Sequence, residues 1–257
     1  MTVKHDMAQQ TFRFDLHLHS CLSPCGSLDM SPRTIARRAR ELGLNAIALT
    51  DHQSTRNTPA FAQCCREEGL VAWFGLEMSV AEEVHVLALF DQLEPANEFG
   101  DRFMATLPRR QNDEEIFGEQ VIVDAYENIL DFEPQMLAIA SRWDMISAVV
   151  RAREAGALVV AAHVDRPSFS VTSQLGFLTG EEGFDAVELS ARAAWPAAEC
   201  GFDLAGYPVL RNSDAHQLEQ MGRQWNEVEL ERFDIASLRA ALHEGRVRHG
   251  RGDPAAR

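Results

Sequence analysis

His17-Leu18-His19, Thr50-Asp51-His52, Gly75-Leu76-Glu77, His163 and Asp214-Ala215-His216 punctuate this 257-residue chain, and each closes or follows a short apolar run. Imidazoles and carboxylates are the ligands that zinc, manganese and iron favour. The two-residue step in His17-x-His19 puts both rings on one face of a strand, where they can grip one ion. Asp214-x-His216 repeats that geometry near the other end of the chain. His85 lies within a further apolar run, Val84 to Phe90. A lone histidine on such a run is most often a core residue. Six of the nine histidines at strand ends or on a strand, with Glu77 and Asp214, make a set that calls for a shared site. His5, His243 and His249 fall in the terminal segment, the last helix and the tail, and carry no functional reading.

Positioning these residues requires strands that converge at one end. Phe12, Phe14, Leu16 and Leu18 alternate with Asp15, His17 and His19, as on a strand. Asn45–Thr50, Leu70–Glu77, Glu83–Phe90, Ala157–Ala162, Ala186–Ser190 and Pro208–Asn212 read as further strands, with another at Asn226–Leu230. Ser31-Pro32, Thr58-Pro59, Asp144 and Asp234 open helices, and Gly43, Gly69, Gly156 and Gly245 close them. Strands alternating with helices predict an α/β chain with a parallel sheet, closed or nearly closed into a barrel. The C-terminal strand ends of such a barrel converge on the face where active sites form. The segment from Asp91 to Arg142 is charged, irregular in period and contains Pro95, Pro108 and Pro134. It reads as an insertion of helices and loops, with a short strand over Gln120–Asp124, that covers the cleft and sets substrate choice. The expected organisation is therefore one barrel domain over 10–245, an insertion at about 91–142, and a frayed tail over 246–257.

The apolar fraction of 46% supports a sizeable core. With 24 Lys and Arg against 39 Asp and Glu, the net charge is −15, which argues against extended nucleic-acid binding through a basic surface. No apolar run is long enough to cross a membrane and no signal core precedes Gln10, so a cytoplasmic protein without a membrane partner is expected. Five cysteines in such a chain argue against a disulfide framework.

In order along the chain, FDLHLHS, ALTDH, GLE, EVHVLAL, AAHVDRP and NSDAH resemble the motifs of the polymerase-and-histidinol-phosphatase (PHP) superfamily, spanning Phe14 to His216. The resemblance implies a distorted seven-stranded (β/α) TIM-like barrel holding two or three divalent ions (Zn, Mn or Fe). It implies a first metal at His17, His19, Glu77 and Asp214, and a second at Glu77, His85 and His163, with Glu77 bridging. A third would use His52 and His216. Where many members carry a further acidic or histidine ligand, this chain reads Ser20-Cys21-Leu22-Ser23-Pro24-Cys25-Gly26. Either Cys25 substitutes as a thiolate, or the third site is weak. Cys21 and Cys25 could instead form a redox pair or be ordinary loop thiols.

The activity implied is hydrolysis of a phosphate ester by metal-activated hydroxide, on a phosphorylated small molecule or nucleotide. A nuclease of single-stranded ends and a non-catalytic metal-binding module are the alternatives. Asp51 is expected to orient a ligand or water. Arg166 and Arg192 are candidates to hold the phosphate, and His216 or Asp51 to protonate the leaving oxygen.

Overall fold

The computed structural model describes residues 9–194, 197, 201 and 203–252. His5 and the last five residues of the tail lie outside them. The elements are β1 (Gln10–Leu18), α1 (Pro32–Glu41), β2 (Ala46–Leu49), α2 (Thr58–Glu68), β3 (Val71–Ser79) and β4 (His85–Phe90). Next come α3 (Leu93–Met104), α4 (Glu114–Phe117), β5 (Val121–Val123), β6 (Ile129–Phe132), α5 (Met145–Glu154) and β7 (Leu158–Ala161). The chain continues through α6 (Val171–Leu175), β8 (Ala186–Glu188), β9 (Val209–Leu210), β10 (Gln224–Leu230), α7 (Ile235–His243) and β11 (Arg248–Arg251).

One sheet of nine strands runs β11-β10-β1-β2-β3-β4-β7-β8-β9. Just past the last strand, Ala215 bridges back to Leu18 at the end of β1, and Asn212 Oδ1 accepts from the Leu16 N–H. These bonds nearly close seven strands, β1 to β4 and β7 to β9, into the expected TIM-like barrel. The two extra strands, β10 and β11, extend the sheet antiparallel beyond β1. Arg248–Arg251 is thus a paired edge strand where a frayed tail was expected, because β10 left its outer backbone groups unpaired.

The sheet is not wholly parallel. β4 runs antiparallel to both β3 and β7. A turn over Val80–Val84, with Glu83 at φ +59°, reverses the chain too tightly for a crossover helix. His85 consequently stands at the start of its strand, yet at the same barrel end as the C-termini of its neighbours.

Two cores flank the sheet. Helices α1, α2, α3 and α5 bury Ile35, Phe61, Phe99 and Val149 against one face. The other face encloses Phe12, Phe14, Leu16, Trp73, Leu87, Val160 and Leu210, stoppered by Phe233, Leu238 and Leu242. Leu18 belongs to the first core, not with Phe14 and Leu16, because the β1–β2 register shifts between Asp15 and Leu18. That irregularity overturns the strict alternation expected for β1 and lets His17 and His19 join the enclosed face.

The same face carries the chemistry on the other strands. Trp73 and Glu77 on β3, Leu87 and His85 on β4, and Ala186 and Glu188 on β8 each share a side by two-residue periodicity. Trp73 is fully buried among Phe12, Phe14 and Phe233, with its ring against Phe233 at 5.1 Å. Trp73→Ala is expected to cost about 3–5 kcal/mol of stability, read as a lower midpoint in urea unfolding. A variant as stable as the parent would show that the enclosed core does not support the site above it.

The 91–142 segment supplies α3, α4 and the β5–β6 hairpin, whose two strands form a separate sheet. The short strand read over Gln120–Asp124 is β5. Among the described residues no helix is long and apolar enough to cross a membrane.

Candidate metal centre

Glu77 is buried, and its two oxygens are ringed by imidazoles. His85 Nδ1 lies 2.9 Å and His163 Nε2 3.0 Å from Oε1, with His17 Nε2 at 3.5 Å. His52 Nδ1 lies 3.0 Å and His19 Nε2 3.3 Å from Oε2. Gly75 allows β3 to press this close to β4, since a Cβ there would collide with the Ala88 carbonyl. Asp214 sits at the other end of the cluster, with Oδ1 3.3 Å from both His17 Nε2 and His19 Nε2. His216 stacks on His19 at 4.1 Å between ring centroids.

The structure therefore brings together His17, His19, His52, Glu77, His85, His163, Asp214 and His216. Ligand atoms converge in three overlapping groups: His17, His19 and Glu77; His52, Glu77 and His85; and His19, His52 and His216. His52 faces Glu77 as well as the His19–His216 side. Arg166 is paired with Asp214. Arg192 is exposed beyond β8, and the bond recorded for it is from its backbone to Ser190 Oγ. Cys25 is exposed, near the His52 ring. Among the described residues Cys21, Cys25, Cys64 and Cys65 are all free, and burial pushes the Cys21 thiol up to about 12, which suits a packed thiol better than a redox partner.

Several features fit divalent ions. Among the described residues, Asp214 Oδ1 is buried with no hydrogen-bond partner, as is His163 Nδ1. His17 Nε2 and His19 Nε2 face one another at 3.1 Å. The opposite nitrogen of each ring is already engaged. His17 Nδ1 donates to the Glu188 carboxylate at 3.0 Å. His19 Nδ1 donates to Ser23 Oγ at 2.9 Å, and that hydroxyl donates to Asp51. With those nitrogens engaged, both Nε2 atoms face one point, where a proton or a cation must sit between them.

The electrostatics agree. Burial alone would depress His17, but Glu188, Asp214 and Glu77 hold it well above its ordinary value. His52 is likewise raised to about 9 against burial, chiefly by Glu77. Burial alone would raise Glu77 and Asp214, but the imidazoles hold both well below the usual carboxylate range. His85 and His216 are pushed down to about 4 and about 3 by burial, so both rings are neutral at pH 7. Backbone strain is concentrated here too, with φ +30° at His163 and +50° at Asp214.

Sequence reading passed over two carboxylates. Glu188 ends β8 fully buried, accepts from His17 Nδ1 and Asn212 Nδ2, and faces the His163 N–H. Asp15 is buried, accepts from Ser213 N and Oγ, and is pushed up to about 7 by that burial. The signal for Glu188 was a carboxylate on the enclosed face of an otherwise apolar strand; Asp15, between Phe14 and Leu16, gave none. Asp51 accepts from Ser20 N, Ser20 Oγ and Ser23 Oγ, so it fixes the loop that orients His19. Glu188→Gln is expected to weaken metal affinity about 10–100-fold, measured by chelator competition. Unchanged affinity would show that Glu188 does not set the His17 ring.

Residues 15–166 match the PHP domain and residues 202–247 the PHP-associated domain. The chain belongs to the PHP family. The clustered His and Glu side chains are groups that could hold metal ions. YqxK of Bacillus subtilis is 33% identical over 97 residues, 36% of this chain and 25% of that one. An error-prone DNA polymerase of Nocardia farcinica is 39% identical over 66 residues, 26% of this chain and 6% of that one. The chain thus corresponds to a quarter or less of these relatives. Among solved structures, the lesion-specific endonuclease EndoQ of Pyrococcus furiosus superposes with TM-score 0.67 at 20% identity, over 95% of this chain and 60% of that one. A two-domain protein of Bacteroides vulgatus with a PHP-like metal-dependent phosphoesterase gives 0.58 at 18%, over 94% and 65%.

These findings tie the chain to the PHP family and to the fold of PHP-like proteins. They overturn the expected phosphorylated small-molecule partner and the argument against nucleic acid. EndoQ has been solved with a 27-mer duplex bearing an abasic lesion at its active site. Net charge misled because it averages the whole surface, whereas a cleft that gathers divalent ions carries its own positive charge.

Proposed function

We propose that this PHP protein is a metal-dependent phosphodiesterase that cuts nucleic acid. The observation that carries the reading is the buried Glu77 carboxylate with five imidazoles within 3.5 Å of its oxygens. His17, His19, Glu77 and Asp214 are the proposed ligands of one ion, and Glu77, His85 and His163 those of a second. His52 and His216 complete a third position on the side of Cys25. Divalent ions held there would supply an activated water and offset charge on the phosphate oxygens.

The chain's own residues prepare that chemistry. Glu188 holds the His17 ring by its Nδ1, and burial keeps His85 and His216 neutral, with lone pairs available at neutral pH. Asp51, saturated by Ser20 and Ser23, acts by positioning His19 rather than by proton transfer. Arg166 stands partly exposed beside Asp214 and is the proposed phosphate clamp, its planar fork matching two non-bridging oxygens. Arg192 is the second candidate, for a neighbouring phosphate.

A nucleic-acid substrate is supported by the likeness to the DNA endonuclease over nearly the whole chain and by the local match to a DNA polymerase. The test is to strip the protein with chelator, reload it with Mn or Zn, and offer single-stranded oligonucleotides, intact duplex and duplex with an abasic site. Cleavage that chelation abolishes is expected. Metal-loaded protein that leaves every oligonucleotide intact would overturn the reading.

A further inference from the structure

A cavity of about 440 Å³ opens beside the metal centre and shares His52 and His85 with it. Its volume is that of a small-molecule site. Most of its wall is apolar and comes from two places: Ile116, Phe117 and residues 137–140 of the 91–142 segment, and Phe169 from the loop after β7. Phe169 is 44% exposed and lies flat against His85, with ring centroids 4.9 Å apart and an interplanar angle of 21°. Its backbone is held at φ +57°, and its carbonyl accepts from the His85 N–H. The ring is therefore fixed at the lip of the cavity, directly over a proposed metal ligand. Ile116, 70% exposed, belongs to the wall supplied by the insertion.

The polar groups of this cavity are few. Gln53 is engaged at both ends of its amide, accepting from Ser79 N and donating to the Ile139 carbonyl. Glu83 is exposed, and among the described residues its carboxylate has no recorded partner. No lysine or arginine lines the cavity. A phosphate entering it would meet the Glu83 carboxylate among apolar walls, the only basic side chains in the lining being His52 and His85 at the end shared with the cluster. A flat, uncharged, aromatic group would meet a ring to stack on, apolar walls and one acceptor.

We infer that this cavity is a nucleobase pocket, taking the base attached to the phosphate that is cut and stacking it on Phe169, with Glu83 selecting among bases. The inference rests on the nucleic-acid reading above and adds a direction to it. The base lies on the His52–His85 side, and the remaining phosphates run toward Arg166 and Asp214 at the opposite end of the cluster. A carboxylate only accepts hydrogen bonds. Guanine offers two adjacent N–H donors on its Watson–Crick edge, whereas thymine offers one between two carbonyls. The pocket accordingly favours guanine over thymine. Stacking and edge reading are the two means by which an extruded or terminal base is held in such pockets.

The test uses deoxyguanosine and thymidine, which carry no phosphate, against the metal-free protein, with binding followed by saturation-transfer NMR. Deoxyguanosine is expected to bind more tightly than thymidine. Phe169→Asn, which removes the ring yet tolerates the left-handed backbone, is expected to weaken it about tenfold, within the range for loss of one base–aromatic stack. Ile116→Ser, at an exposed wall position, provides a second variant with little risk to folding and should also weaken binding. Glu83→Gln is expected to erase the guanine preference. With metal restored, oligonucleotides ending in guanine and thymine should show the same order of KM. Absence of nucleoside binding, or binding untouched by Phe169→Asn and Ile116→Ser, would overturn the pocket even if oligonucleotides are cleaved. Nucleoside binding with no cleavage of any oligonucleotide would sustain the pocket and overturn the nuclease reading alone.

Discussion

Glu77→Gln is expected to reduce hydrolysis by about 10²–10³-fold, the size of effect seen when a single electrostatic stabiliser is removed from an active site. The amide keeps the shape of the carboxylate but loses its charge, and one of its two atoms can no longer accept from an imidazole or bind a cation. His85, His52, His163, His17 and His19 all converge on those two atoms, so no neighbouring group can replace the function. The enclosed core beneath is made by Trp73, Phe14 and Leu87, none of which depends on the charge of Glu77. The variant is therefore expected to unfold cooperatively and to show native circular dichroism. Full turnover by a folded Glu77→Gln protein would remove this carboxylate from the mechanism.

Removing the metal is expected to abolish hydrolysis and also to lower stability, because ions that bind only the folded chain stabilise it by mass action. At a free metal concentration one hundred times Kd the gain is about 2.7 kcal/mol per site. The pH dependence follows from the same residues. In the metal-free chain, His17 and His52 are held above their ordinary values by the surrounding carboxylates, and an ion must displace those protons to bind. Affinity for Mn or Zn is expected to rise with pH through neutrality and on toward about 9, where His52 loses its proton. The metal-free protein behaves in the opposite sense. A histidine whose folded value is raised stabilises the fold fully below its unfolded value, near 6.5. That contribution fades as pH climbs through about 9 for His52. Thermal melts of metal-free and metal-loaded protein at pH 6, 7.5 and 9 should therefore diverge as pH rises. A constant gap between the two melts would contradict this coupling.

Much of the site was legible because metal ligands are chemically conspicuous against apolar strands. His17, His19, Glu77, His163 and Asp214 interrupt runs of Leu, Ala and Val, and the barrel brings such interruptions to one end. The strand partners of β4 were not legible. An apolar run such as Val84–Phe90 looks the same in either direction, and only the tight turn at Glu83 fixes it as antiparallel. The shift inside β1 was hidden for the same reason, since Leu16 and Leu18 are equally apolar yet pack into different cores. Glu188 escaped notice because a single carboxylate after Ala186 and Val187 reads as a strand end facing solvent. Its role depends on His17, 171 residues away. β11 was invisible because Arg248-His249-Gly250-Arg251 has no apolar face; it is held by backbone pairing to β10 and by polar bonds of Arg248 and His249 to Glu227, Glu229 and Asn226. Net charge was a poor guide to partners, because it averages the whole surface and does not describe a cleft ringed by imidazoles and carboxylates.

The most direct measurement of the central claim is anomalous scattering from crystals of the protein grown with manganese. Peaks are expected around Glu77, at least one within coordinating distance of its carboxylate and the His85 and His163 rings, and another shared with His17, His19 and Asp214. Manganese bound only elsewhere on the molecule, with no peak within reach of Glu77, would contradict the account.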